Sequence, residues 1–213
     1  MSVRAEPASL RERKKQRTHA ALVDAAVRLF RARGYDATTV EEIAAAVEVS
    51  PRTFFRYFDG KEEVALAPFV EFDRLLVDAL ADRPAAERPL PALRAAYETS
   101  LTHLAGDRGV LDRFLTAHFL TGQTPALLAG RLRRQADTER LLAAEIARRC
   151  GTGDDDVRPH LLVQLVFAAA RVGFETGCRR GVLDQPEKLA ASVVHALDLA
   201  TAGLTRHWGE PWA

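Results

Sequence analysis

Sulfur is scarce in this chain: of 213 residues only Cys150 and Cys178 are cysteines, and Met1 is the sole methionine. The two thiols form no CxxC pair and have no histidine cluster beside them, so neither a disulfide framework nor a zinc site is expected, and the chain reads as a reduced, cytoplasmic protein. The apolar stretch after the basic residues Arg11 to Arg17 is broken by Asp24, Arg28 and Arg31, which makes it neither a signal-peptide core nor a membrane span, and no membrane partner is expected. Catalytic signatures are missing too. HExxH, GxSxG and a complete GxGxxG do not occur, and Gly60-Lys61 lacks the upstream glycine of a phosphate loop because position 55 is Phe. Gly151-Thr152-Gly153 runs into three aspartates, which would repel a phosphate. These absences argue against an enzyme, a cofactor and a metal. Net charge is also small, at +1, which argues against a protein that coats DNA in bulk.

That small charge is unevenly placed. Residues 1–61 hold 12 Lys/Arg against 8 Asp/Glu, and the remainder holds 18 against 21. Positive charge therefore gathers at one end, where a nucleic-acid contact would use it. Alternating β-branched stretches are absent and helical periodicity runs through nearly every segment, so the chain is expected to be all-α, with about nine helices. A first helix is expected at 10–33, with Leu22, Ala25, Ala26, Leu29 and Phe30 on one face and Gly34 at its end. Thr39 and Glu42 form a capping box that opens a second helix carrying Val40, Ile43, Ala44 and Val47. Glu48 and Val49 leave room only for a tight turn before Ser50, as cap, and Pro51 start a third helix with Phe54 and Phe58 buried. Asp59 and Glu62 suggest another capping box, opening a fourth helix that runs to about Asp82. Beyond the proline-rich stretch from Pro84 to Pro91, helices are expected at 90–105, 108–121, 125–150, 156–179 and 186–206.

A helix, a short turn and a second short helix can lay that second helix in the major groove of DNA. The exposed face of the third helix separates a DNA reader from a structural hairpin. Off the Phe54/Phe58 stripe lie Pro51, Arg52, Thr53, Phe55, Arg56 and Tyr57. Arg52 or Arg56 suits the bidentate edge of guanine, whereas Thr39, Ser50 and Tyr57 suit phosphate oxygens. Lys61 starts the fourth helix, where free N–H groups already favour an anion. Arg11, Arg13, Lys14, Lys15 and Arg17 form a basic arm that either reaches a neighbouring groove or backbone or stays solvated.

The order of a basic arm, AAVRLFRARGYDATTVEEIAAAVEVSPRTFFRYFDGKEEV and an all-helical remainder resembles the TetR family of bacterial one-component regulators. The resemblance covers residues 17–64, with Gly34, Thr39, Ile43-Ala44, Val49-Ser50, Thr53, Tyr57-Phe58 and Lys61 in register. It implies that Thr39, Ser50, Arg52, Thr53, Phe55, Tyr57 and Lys61 face DNA. Arg52 stands where glycine is common and Phe55 where tyrosine is common, so one contact is gained and one hydroxyl lost. The resemblance further implies a helix-turn-helix domain at 1–61, a ligand-binding and dimerisation domain at 62–213, a double-stranded DNA operator, a homodimer and an unknown small-molecule ligand that releases a repressor. The segments VFAAARVGFETGCRRG and ALDLATAGL resemble the subgroup whose C-terminal domain binds acyl-CoA-like ligands.

In the larger domain Leu161, Leu165, Ala168 and Val172 of one helix, and Leu189, Val193, Leu197, Ala200 and Leu204 of the next, provide apolar faces that serve either the monomer core or a dimer seam. Pocket candidates are Phe69, Phe72, Leu76, Tyr97, Phe114, His118, Gln164, Phe167, Arg171 and Phe174, with Gln164 and Arg171 as the polar groups. For any single aromatic among them, ordinary core packing is the stronger reading. The fourth helix, with Lys61 at one end and Phe69, Phe72 and Leu76 further along, is the expected lever between ligand and DNA. An activator or a nonspecific DNA-binding adaptor is the competing reading, and sequence preference separates it from a specific repressor.

Overall fold

The computed structural model describes residues 10–153 and 155–202, and among them there are nine helices and no strand. They are α1 (Leu10–Arg33), α2 (Val40–Ala45), α3 (Pro51–Phe54), α4 (Lys61–Ala81), α5 (Pro89–Gly106), α6 (Arg108–Gln123), α7 (Pro125–Cys150), α8 (Val157–Arg179) and α9 (Pro186–Ala202). Two compact units divide the chain, one formed by residues up to 68 with 116–128, the other by 69–115 with the residues from 129 onward. The division falls inside α4 just after Pro68, whose missing N–H interrupts the helix's own hydrogen-bond ladder there.

In the first unit α1 buries Leu22, Val23, Ala25, Ala26, Val27 and Phe30. Ile43 and Ala44 of α2 and the aromatic side chains Phe54 and Phe58 are also buried. Each fully buried Leu, Ile or Phe contributes about 1.5–3 kcal/mol. That is enough for such short elements as α2 and α3, which would not persist alone. Gly34 takes a left-handed φ of 84° and ends α1, and the Thr38 hydroxyl donates to its carbonyl at 2.8 Å. The capping box is present. Thr39 Oγ1 accepts from the Glu42 N–H at 3.2 Å, and Glu42 Oε2 accepts from the Thr39 N–H at 3.0 Å. The turn after α2 places Glu48 at φ 57°, the only non-glycine residue with positive φ among the described residues, and Val49 N–H returns to the Ala44 carbonyl at 3.0 Å.

Two local expectations change. The third helix is α-helical only to Phe54; its last turn tightens, with Arg56 N–H on the Thr53 carbonyl and Tyr57 N–H on that of Phe54. The second capping box does not form between Asp59 and Glu62: α4 begins at Lys61, so Gly60, without a side chain, stands at the cap, and Glu63 reaches back instead to accept from the Asp59 N–H at 2.5 Å.

In the second unit α8 and α9 pack along one another, and α5 lies against both. Leu162, Val163, Val166, Phe167, Ala170 and Gly173 face inward from α8, and Leu189, Val193 and Leu197 from α9. The close approach requires glycine. A Cβ on Gly173 would stand 2.6 Å from Val193 Cα and 2.7 Å from the Ser192 carbonyl oxygen. By length and composition α8 is apolar enough to cross a membrane, but its buried face is used against α9 as in a core helix. Leu204, expected on the α9 stripe, lies outside the described residues.

Candidate functional site

The first unit presents the residues expected to meet DNA on a short, well-capped scaffold. Ser50 Oγ accepts from the Thr53 N–H at 3.1 Å and meets the Thr53 hydroxyl at 3.0 Å, which fixes the start of α3. Such caps contribute about 0.5–2 kcal/mol. Pro51, Arg52, Phe55 and Arg56 are exposed, Thr53 and Tyr57 are half-buried, and Thr39 is exposed at the α2 cap. Phe55 is 53% exposed although it is a large apolar ring, so the α3 face carries two guanidinium groups around an uncovered aromatic. Such a face is suited to a partner that is both anionic and flat-edged.

Tyr57 ties this face to the start of α1. The little burial it has would raise its phenol's pKa, but hydrogen bonds from Arg56 and Thr18 and the charges of Arg56 and Lys15 draw it below the usual tyrosine value. The Arg56 guanidinium also lies 5.3 Å from the Tyr57 ring centre. Arg11, Arg13, Lys14, Lys15 and Arg17, expected as an arm, are exposed residues of the first turns of α1. Their charge is consequently held on a helix, with Lys15 near Tyr57.

Lys61 stands at the start of α4, as expected. Its ammonium donates to the Tyr35 carbonyl at 2.8 Å and lies 4.4 Å from the centre of the Tyr35 ring. The charge thus fixes the loop after α1, and the first-turn N–H groups of α4 are left as the anion-favouring feature at that point.

In the second unit the expected aromatics converge. Phe69 and Phe72 of α4, Tyr97 of α5, Phe114 of α6 and Phe167 and Phe174 of α8 form one continuous set of ring contacts, with centroid separations from 5.0 to 6.0 Å and mostly edge-to-face. Leu76 is fully buried beside them on α4. Tyr97 and Phe174 keep some accessible surface, whereas Phe69, Phe72, Phe114 and Phe167 are buried. Burial pushes the Tyr97 phenol well above its ordinary pKa, so it stays neutral.

The polar groups of this cluster are not the expected ones. Gln164 is exposed and donates to Glu139 at 2.6 Å; Arg171 is exposed and pairs with Glu175 at 3.3 Å. Both lie on the outward side of α8, because its inward side is the Val163/Val166/Phe167/Ala170 face. His118 is exposed as well, in the 116–128 segment that belongs to the first unit. In their place stand Asp73 of α4 and Arg131 of α7. Arg131 Nη1 is 3.5 Å from Asp73 Oδ2, and the guanidinium carbon is 3.8 Å from the Phe69 ring centre. Burial pushes Asp73 above and Arg131 below their ordinary pKa values, against the pull of each on the other. A further side-chain hydrogen bond to Asp73 comes from Thr138. The signal for both was available: Asp73 falls on the Phe69/Leu76/Leu80 stripe, and Arg131 on the stripe of Leu127, Thr138, Leu142 and Ile146.

Comparison with known proteins places these two sites in context. A family model described as bacterial regulatory proteins, tetR family, matches residues 22–67, and a model of the MftR C-terminal domain matches residues 87–205. The HTH-type transcriptional regulator TcmR of Streptomyces glaucescens is 42% identical over 210 residues, covering 96% of this chain and 92% of TcmR. A putative mycofactocin biosynthesis transcriptional regulator, MftR of Mycobacterium tuberculosis, is 27% identical over 194 residues, covering 91% and 94%. Among solved structures, the complex of SmeT with triclosan superposes with a TM-score of 0.60 at 21% identity, covering 93% of this chain and 97% of SmeT.

Proposed function

Since the chain belongs to the TetR family of bacterial regulatory proteins, and is therefore a DNA-binding transcriptional regulator and not an enzyme, we propose that it is a repressor that binds a palindromic operator as a homodimer and is released by a small molecule. The exposed face of α3 carries the proposal: Arg52 and Arg56 flank the uncovered Phe55, on an element fixed by the Ser50 cap. In this reading Arg52 or Arg56 addresses a guanine edge, while Thr39, Ser50, Tyr57 and the basic first turns of α1 take phosphates. Residues up to about 61 read DNA, and those beyond bind the effector and the second protomer.

Regulators of this family act as dimers, and the outward face of α8 supports a specific seam. Leu161 and Val172 are 46% and 49% exposed, Ala168 is exposed with them, and Leu199 of α9 is 66% exposed. The inward residues Leu189, Val193 and Leu197 serve the monomer, so they are not available to a partner. A dimer places its two heads on half-sites about 34–36 Å apart or somewhat more, and an effector worth about 1–3 kcal/mol of coupling suffices to release them. Helix α4 is the covalent path for that coupling, with Lys61 at its start and Phe69, Phe72 and Leu76 further along.

A gel-shift titration against the DNA flanking the protein's own gene tests the proposal, with Arg56→Ala and scrambled DNA as controls. Loss of a guanine contact costs about 1–3 kcal/mol, or roughly 5–150-fold in affinity. Tight binding that weakens by this amount with Arg56→Ala, and by about 10³-fold or more on scrambled DNA, is the expected result. Equal, salt-sensitive binding to every DNA would refute sequence-specific repression and favour a nonspecific binder.

A further inference from the structure

Arg131 is an unusual use of a buried arginine. Its Nη1 is buried and has no hydrogen-bond partner, and the nearest carboxylate oxygen, Asp73 Oδ2 at 3.5 Å, lies outside hydrogen-bonding geometry. Buried donors in native proteins are nearly always satisfied, and a buried ion pair repays its desolvation only when its hydrogen bonds are made. As a core-filling device the pair is therefore poor. As half of a binding site it is well placed: the guanidinium is stacked on Phe69, 19% of the Arg131 side chain stays accessible, and partly accessible Tyr97 and Phe174 belong to the same ring cluster.

We infer that this cluster binds a hydrophobic monoanion, a compound carrying one carboxylate or ionised phenol on an apolar body, whose anionic oxygen takes the unused Arg131 N–H while its body lies among Phe72, Tyr97, Phe114 and Phe174. The inference deepens the reading that the second unit holds the effector, and rests on it. An apolar wall supplies area without direction, so the single cation selects the ligand class.

Charge balance adds a second property. With Asp73 ionised the two side chains form a neutral pair, Arg131 Nη1 standing 3.5 Å from Asp73 Oδ2. When the ligand's anion takes Arg131, the site returns to neutrality if Asp73 accepts a proton. The groups acting on Asp73 are Arg131, Thr138, Arg134 and Glu139 of α7 and Tyr97 of α5. Of these, Arg134 opposes protonation and Glu139 favours it, and burial already pushes Asp73 toward its neutral form. One proton then enters with each anion, so affinity for the acid falls as pH rises, by up to about tenfold per pH unit.

The test is isothermal titration calorimetry on the full chain with four probes: naphthoate and octanoate as aromatic and aliphatic acids, and naphthylmethanol and octanol as neutral counterparts. Titrations in buffers of different ionisation enthalpy count the protons taken up. At least one acid is expected to bind tenfold or more tighter than its alcohol, with proton uptake; which acid it is identifies the body. Arg131→Gln should abolish the preference for acid over alcohol. Asp73→Asn should keep acid binding and lose the proton uptake. Asp73→Asn/Arg131→Gln, which leaves no lone buried charge, should also show no acid preference, and serves if Arg131→Gln fails to fold by circular dichroism. An alcohol bound as tightly as its acid, or an acid preference that survives the Arg131 change, overturns the anion class and leaves an effector pocket standing. If no probe binds, both the inference and the effector reading of this cluster fail, while operator binding in the gel shift remains an independent result.

Discussion

Gly173→Ala sets two well-measured effects against each other. Replacing a helix-interior glycine by alanine ordinarily stabilises by about 1 kcal/mol through helix propensity. At position 173 the new methyl would meet Val193 Cα at 2.6 Å, the Ser192 carbonyl oxygen at 2.7 Å and Ala196 Cβ at 3.0 Å. Two of those atoms are backbone, so no rotamer change clears them, and α8 and α9 must separate by about 1 Å to restore a 3.5–4.0 Å contact. A gap of that size forfeits a quarter to a half of each contact along the crossing, and overpacking of this kind costs about 1–3 kcal/mol. Packing thus offsets the propensity gain and leaves a net loss of up to about 2 kcal/mol. In urea, with a slope of about 2 kcal/mol per molar, the midpoint followed by circular dichroism should fall by up to roughly 1 M with the slope unchanged. Two controls separate the effects. Gly177→Ala would crowd only the end of the Leu189 side chain, which can move, its contacts with Ser192 and Val182 being of ordinary length, and should cost less; Gly122→Ala would meet nothing within 4 Å and should stabilise slightly. If Gly173→Ala raised the midpoint as Gly122→Ala does, the close helix crossing would be refuted.

Glu48 holds φ 57°, a region that disfavours residues with a Cβ by about 1 kcal/mol. Glu48→Gly should therefore raise the melting temperature modestly and Glu48→Val lower it, by differential scanning calorimetry; the opposite order would remove the strain from the turn. Glu145 is held down to about 2 by hydrogen bonds from Arg148 and Arg149, from an ordinary value of 4.5. A depressed carboxylate stabilises the fold above its unfolded pKa and loses that contribution as pH falls through the folded one. The wild-type urea midpoint should accordingly drop between pH 4.5 and about 2, with Glu145→Gln showing a shallower drop in the same window; identical profiles would mean that the two arginines do not stabilise the fold through Glu145.

The first unit was legible because its determinants are local. Thr39 with Glu42, Ser50 with Pro51, and Phe54 with Phe58 each lie within one helical turn, and each does in the structure what its spacing predicts. Lys61 starts α4 as its position suggests, but its contact with the Tyr35 carbonyl is set by how α4 meets the loop after α1 and by nothing in the neighbouring sequence. In the second unit the aromatics were identified individually, since large apolar residues on helical stripes are reliably buried. The polar pair was not. Arg131 sits in GRLRRQADTER, a run that reads as a solvated face, and only its register with Leu127 and Thr138 marks it as inward. Gln164 and Arg171 do share a face, as their spacing of seven requires, but spacing fixes which residues go together and leaves open which way they point.

Arg131 and Arg149, both largely out of water in the second unit, differ in whether their donors are satisfied. Arg149 is only 3% exposed in its side chain, and it donates to the carbonyls of Leu80, Ala81, Arg83 and Pro84 and to Glu145. Those carbonyls belong to the end of α4 and the turn after it, so Arg149 ties down that turn and its hydrogen bonds are made within the chain. Arg131 lies on the same helix, about four-fifths of its side chain is likewise out of water, and yet its Nη1 meets no acceptor. Both residues are fully desolvated at that atom, so both bear the cost of burial, but only Arg149 recovers it from the protein. The free energy left unrecovered at Arg131 is available to whatever brings an acceptor, and a ligand that does so gains more there than it would from a guanidinium already satisfied. An anionic effector would thus be selected by a deficiency in the empty site, on a wall of rings that binds apolar bodies without regard to charge.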